Sequence, residues 1–196
     1  MSNTDFEKIF TKYKGYLENW DYENPKRLVI CFAGVPASGK TVIAKELERV
    51  YKGIRINSTD VYNLFEEYRG QRFYEGFIQE KRSFIYWLMD RVYEQSPNKL
   101  IILDKNIDRS YEEVSKWCNE HSAKMFTICL EASRDTLVER LKKREGDKAE
   151  GYIHDLDKWI GEHENFKKKS SGDISFNTDE ISIKNLINEL VEYIDY

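Results

Sequence analysis

Gly34-Val35-Pro36-Ala37-Ser38-Gly39-Lys40-Thr41 is the stretch from which the rest of the chain can be read. It fits the pattern G-x-x-x-x-G-K-[ST]. An apolar β-rich run, Leu28-Val29-Ile30-Cys31-Phe32-Ala33, leads into it. A helical pattern follows, with Ile43, Leu47, Val50 and Tyr51 on one face at 3.6-residue spacing. Strand, glycine-bounded turn and helix are what a phosphate-binding loop needs. Gly34 and Gly39 let the backbone curl round phosphate oxygens. The unpaired N–H groups of Ala37, Ser38 and Gly39 and the positive end of the following helix attract anions. Lys40 brings an ammonium to the β- and γ-phosphates, and the Thr41 hydroxyl is a Mg²⁺ ligand. Four fixed positions of this kind arise by chance about once in a hundred chains of this length, and the strand–helix context lowers that further. The expectation is a nucleoside-triphosphate site.

The bulk properties restrict what surrounds it. A chain of 196 residues is expected to form a single domain. Its formal net charge of −4 argues against a non-specific nucleic-acid or membrane binder. No apolar run approaches the ~20 residues of a membrane span, and the start of the chain lacks the basic-then-apolar layout of a signal peptide. Cys31, Cys118 and Cys129 are scattered and odd in number, and no metal-ligand spacing appears, which points to a reducing, cytoplasmic setting.

Taken in order, residues 4–20 predict a helix whose aromatic stripe, Phe6, Ile9, Phe10, Tyr13, Leu17 and Trp20, docks on the body. Asn24-Pro25 ends this segment, and the first strand is expected to start near Arg27. The expected division is an N-terminal helix in 1–24 and the main domain in 25–196. Ile54–Asn57 predicts a second strand that delivers Ser58-Thr59-Asp60 to the carboxyl end of the sheet. Asp60 has two readings: a helix cap, or a carboxylate that takes the proton of an acceptor hydroxyl, with Ser58 or Thr59 left to cap. Residues 61–95 are helical and aromatic, broken near Gly70, and their rings suit core or cleft equally. Arg69, Arg72, Lys81 and Arg82 are the basic residues placed to meet an anionic acceptor, or else a solvated face.

Lys99–Asp104 predicts a buried third strand closing on a carboxylate, with Asn106 and Arg109 within a turn of it. Asp104 is either a structural strand-end residue or a Mg²⁺-holding carboxylate of the Walker B kind. Ser110 is expected to cap a helix to about Glu120, Met125–Leu130 to form the fourth strand, and Ser133 to cap the next helix, which carries Arg140 and Arg144. Glu145–Gly151 predicts a polar opening-and-closing loop before a helix over 155–169. Asp173–Thr178 predicts a fifth strand, and Ile183, Leu186, Ile187, Leu190, Val191 and Ile194 a closing amphipathic helix. Strands alternating with helices indicate a parallel sheet covered on both faces.

These elements together resemble the small P-loop kinases of the group that includes polynucleotide kinases, zeta toxins and gluconate-kinase-like enzymes, an AAA-like division of the P-loop ATPases. The matching features are Gly34–Thr41, Asp60 after strand two, Ile102-Leu103-Asp104-Lys105-Asn106-Ile107-Asp108-Arg109 after strand three, the Leu130–Arg144 segment, and Phe176-Asn177-Thr178. The resemblance implies a five-stranded α/β P-loop fold of order 2-3-1-4-5 with an arginine-bearing lid at about 142–155. It implies ATP and Mg²⁺ as cofactors, with Lys40 and the loop amides on ATP, Thr41 and Asp104 on Mg²⁺, and Asn177 and Thr178 near the base. It also implies Asp60 as the base, Arg140 and Arg144 reaching the transferring phosphoryl, and a hydroxyl-bearing small molecule, nucleotide or nucleotide-sugar as acceptor. Acceptor contacts are expected from Asn63, Arg69, Arg72, Asn106 and Arg109. Polynucleotide kinases of this group tend to carry Arg three residues after the acidic residue; here that position is Asn63, which speaks against a nucleic-acid acceptor.

Overall fold

Alternation along the central strand sets the layers. The structure is a computed structural model that describes residues 2–71, 74–170 and 172–195. Five parallel strands, β1 (Asn24–Ala33), β2 (Ile54–Asn57), β3 (Asn98–Asn106), β4 (Lys124–Glu131) and β5 (Ile174–Asn177), lie in the order β2-β3-β1-β4-β5. This is the P-loop NTPase arrangement expected from the sequence. Val29, Cys31 and Ala33 of β1 face one layer, while Leu28, Ile30 and Phe32 face the other. The first layer holds α1 (Asn3–Tyr13), α3 (Ser58–Arg69), α4 (Phe77–Gln95) and α5 (Tyr111–Glu120). Opposite lie α2 (Lys40–Tyr51) and α8 (Ile183–Asp195). A third cluster joins the hairpin of α6 (Arg134–Glu145) and α7 (Ala149–Lys169) to the phosphate loop, where Leu137, Leu141 and Leu156 pack on Val35.

Four expectations need correction. The first helix stops at Tyr13 and passes through a short 3₁₀ turn, Lys14–Tyr16, yet Leu17 and Trp20 remain buried. The stripe identified core residues correctly, but its last third is not helical. β1 begins at Asn24, three residues early, because Asn24 pairs with Asn98 and Pro25 is tolerated at a strand start. Ser110 occupies the N-cap position of α5 without capping it, its buried hydroxyl having no partner among the described residues. Finally, Glu145–Gly151 is no open loop: a three-residue 3₁₀ turn, Gly146–Lys148, joins α6 directly to α7. Buried Ala149 and Leu156 outweigh the helix penalty of exposed Gly151, about 1 kcal/mol.

Candidate active site

The loop between β1 and α2 closes tightly on itself. Gly34 and Gly39 have φ of 131° and 105°, and a Cβ on Gly34 would lie 2.3 Å from the Leu130 carbonyl oxygen. Only glycine fits there. Ala37 also sits at positive φ, 68°, where a side chain costs about 1–2 kcal/mol. Lys40 Nζ donates to the carbonyls of Gly34 (2.7 Å) and Val35 (2.6 Å) and to Ser38 Oγ (3.1 Å). Burial brings its pKa down to about 8, against the pull of Asp108 and Asp104, and Arg144 adds to the fall.

Beneath the loop lies a connected set of charges. Thr41 Oγ1 donates to Asp104 Oδ1 at 3.0 Å. The other oxygen of Asp104 accepts from Arg55 Nη1 at 2.9 Å and from the Asn57 side-chain amide. Arg55 Nε in turn donates to Glu48 at 2.7 Å. Asp104 is 3% exposed, so its charge depends on these partners. A register shift places it there. Cys31 pairs with Leu103, but Phe32 pairs with Asn106, so Asp104 and Lys105 bulge from the ladder with β1. Hydroxyl and carboxylate oxygens are hard donors, the chemistry Mg²⁺ takes alongside phosphate oxygens.

Asn57 also resolves the two readings of Asp60. Its side-chain oxygen accepts from the amides of Thr59 (2.8 Å) and Asp60 (3.0 Å), so Asn57 is the N-cap of α3. Neither Ser58, Thr59 nor Asp60 does that work. The Asp60 carboxylate has no hydrogen-bond or ion-pair partner among the described residues. Burial raises its pKa, Arg55 opposes the rise, and Asp104 adds to it. The N-terminal helix reaches this point as well: the Tyr13 hydroxyl donates to the Asn57 carbonyl (3.4 Å) and accepts from its amide (3.1 Å).

The remaining expected residues separate into groups. Arg140 bridges the loop and the β5–α8 turn, donating to the Ala37 carbonyl (3.4 Å), Thr178 Oγ1 (2.8 Å) and the Thr178 carbonyl (3.0 Å). Thr178 lies 4.0 Å from where a Gly39 Cβ would stand, and Asn177 is exposed beside it, bonded to Glu180. Arg144 is engaged by Glu145 at 2.6 Å and lies over the Tyr152 ring. A cleft of about 310 Å³ is lined by Pro36, Lys40, Asn106, Arg109, Trp159 and Glu162. It brings together Lys40 and two of the expected acceptor contacts, although Arg109 is held by Glu162. Asn63 is exposed on α3, and Arg69 is paired with Glu80 and stacked on Tyr74. Arg72 lies outside the described residues.

Sequence reading missed Arg55, Asn57, Asp108 and His163. Asp108 Oδ1 accepts from the Gly34 amide (3.3 Å), and its other oxygen accepts from His163 Nδ1 (3.1 Å) on α7, tying the hairpin to the loop. An Asn ahead of Ser-Thr-Asp is a readable cap signal. The other three depend on which strands become neighbours, and no local pattern shows that.

No curated protein matches the chain by sequence. Among solved structures, the chain is similar to shikimate kinase from Bacteroides thetaiotaomicron: 18% identity, TM-score 0.58, 86% of this chain and 99% of that one. It is similar to a gluconokinase from Sinorhizobium meliloti: 13% identity, TM-score 0.54, 85% and 90%. YorR from Bacillus subtilis, solved with phosphorylated GDP, gives 13% identity, TM-score 0.59, 86% and 95%. At such identities the likeness is one of fold. The AAA domain family matches residues 30–168, from within β1 through most of α7, and the chain belongs to that family.

Proposed function

We propose that the protein is a P-loop kinase that moves the γ-phosphoryl group of ATP, with Mg²⁺, to a hydroxyl of a small molecule, nucleotide or nucleotide-sugar. One observation carries this reading. Asn57 caps the helix that presents the unpartnered Asp60 and also grips Asp104, so the prospective base and the prospective metal carboxylate share one rigid anchor. A loop that only bound nucleotide would have no use for a free carboxylate held beside it. The shikimate kinase and the gluconokinase among the structures of similar fold agree with it.

In this reading the domain spans 25–196, with segment 1–24 packed on it and the α6–α7 hairpin as its lid. Lys40 leaves the loop carbonyls for the β- and γ-phosphates, which also take up the amides of Ala37, Ser38 and Gly39. Asn177 and Thr178 flank the base. Thr41 and Asp104 hold Mg²⁺, which supplies charge neutralisation at the phosphates when bound. Asp60 orients the acceptor hydroxyl and takes its proton; the oxygen attacks the γ-phosphorus, the β–γ bridging bond breaks, and ADP leaves with the electron pair. Arg140 and Arg144 steady the transferring group once the phosphates draw them from Thr178 and Glu145. Asn63, Asn106, Arg109, Arg69 and Arg72 remain the proposed acceptor contacts. The 5′-hydroxyl polynucleotide kinase reading loses support, since Arg69 and Arg82 are engaged by Glu80 and Glu113. Among the described residues no helix is long and apolar enough to cross a membrane. The three cysteines are buried thiols, which fits the cytoplasmic setting expected from the sequence.

The test is a metabolite screen. Purified protein, ATP and Mg²⁺ are incubated with a small-molecule extract, and mass spectrometry looks for phosphorylated products absent with Lys40→Ala. A new phosphorylated metabolite is the expected result. ATP binding with no product from any extract, or from RNA and DNA 5′-hydroxyl ends, would leave a nucleotide-binding protein without transfer.

A further inference from the structure

Two lysines on the α3–α4 side of the sheet have no counter-ion among the described residues. Lys81, in the second turn of α4, places its ammonium 3.6 Å from the centre of the Tyr62 ring. Tyr62 is on α3, two residues beyond Asp60. Lys105 follows Asp104 at the end of β3 and continues the row Ile101, Leu103 into the layer between the sheet and α4. Its ammonium lies 6.0 Å from the Tyr86 ring centre. Neither ammonium has a hydrogen bond or ion pair to any described residue. Both are partly buried; Lys81 lies in the field of Lys105 and Arg82, and Lys105 in that of Arg82, with Glu113 pulling the other way. Glu113, the carboxylate whose charge reaches Lys105, is occupied by Arg82 at 2.8 Å and Tyr86 at 3.3 Å. Burial, with Lys105 and Arg82 adding to it, lowers the Lys81 pKa to about 8.

For the other cations beneath the loop the chain supplies partners: Arg55 has two carboxylates, and Lys40 has two carbonyls and a hydroxyl. Withdrawing two like charges from water without a partner is costly unless something outside the chain completes the set. The tyrosine rings offer each ammonium a π face but no negative charge. What is missing is an oxyanion.

We propose that Lys81 and Lys105 form an anion subsite that seats the phosphate or carboxylate of the acceptor. The proposal rests on the kinase reading only in naming the anion's carrier. It narrows the substrate to an acidic hydroxyl compound, with Asp60 one turn of α3 or less from the Tyr62 ring that backs Lys81.

The test follows the lysine ε-methylene NMR signals of ¹³C-lysine-labelled protein while inorganic phosphate, and separately malonate, is added. Saturable shifts of Lys81 and Lys105 are expected in wild type and in Lys40→Met, which disables the phosphate loop. Lys81→Met and Lys105→Met should each weaken the anion about 10- to 100-fold, the loss of one charged hydrogen bond. Tighter phosphate indicates a phosphorylated acceptor, and tighter malonate a carboxylic acid. No saturable shift with either anion overturns the proposal, as does an affinity unchanged by both methionine variants. Since no turnover is involved, anion binding without transfer refutes the kinase reading alone. Transfer to an uncharged acceptor, indifferent to Lys81→Met, refutes the subsite alone.

Discussion

The nucleotide side and the acceptor side of this sheet treat charge in opposite ways. Under the loop, Thr41, Asp104, Arg55, Asn57 and Glu48 form a closed set in which each charged group has a partner from the chain. Across the end of β3, Asp60, Lys81 and Lys105 have none among the described residues. Strand alternation separates the two, sending consecutive residues of β3 to opposite faces: Asp104 into the closed set, Lys105 into the open one. A closed set fixes geometry before any ligand arrives. An open one has affinity in reserve for a molecule the chain does not contain.

Opposite responses to similar changes would sharpen the contrast. The largest effect should come from Asp60→Asn, which lowers kcat for the acceptor found by the extract screen about 10²–10⁴-fold, the usual weight of a general base. Next is Arg55→Met. It leaves the Asp104 and Glu48 carboxylates, 3% and 10% exposed, without their counter-ion and should destabilise the protein by about 3–5 kcal/mol in denaturant unfolding. Lys81→Met makes the same kind of substitution on the open side and should do the reverse. It removes an unpaired charge and should raise the melting temperature of ligand-free protein by about 2–4 °C, roughly 1 kcal/mol. If both methionine variants destabilise alike, the contrast fails.

A pH measurement probes both sides at once. Lys40 and Lys81 fall from the ordinary 10.5 to about 8, so above that pH the folded chain holds fewer protons than the unfolded one. Stability from these groups therefore rises with pH from 8 to about 10, where unfolded tyrosines begin to ionise. Saturating ATP draws the Lys40 proton back and should flatten its share of the rise, whereas Lys81→Met should remove the other share. The smallest effect is that of Ala37→Gly, which relieves the φ of 68° and stabilises by no more than about 1 kcal/mol.

How much of this was legible in the chain differs between the same two sides. Gly34–Thr41 is a local pattern whose residues act through their own backbone; the alternation of strands with helices gave a parallel sheet covered on both faces, and its order came from the resemblance to small P-loop kinases. Asp60 and Asp104 were readable as strand-end carboxylates. Their partners were not, because Arg55 and Asn57 meet Asp104 only through the parallel register of β2 with β3. Lys105 gave no signal of its own; its lack of a partner belongs to the packing of α4 and α5 around it. The glycine-bounded Glu145–Gly151 misled for the opposite reason, since its polar composition hides the burial of Ala149 within it and the apolar contacts of Leu156 just beyond it.

The most direct test of the central claim compares wild type with Asp60→Asn for two quantities, ATP affinity by calorimetry and phosphorylated product by mass spectrometry. The account predicts equal ATP affinity and product lost only in the variant. Product formed equally by both proteins would contradict it, and Asp60 would then be no base.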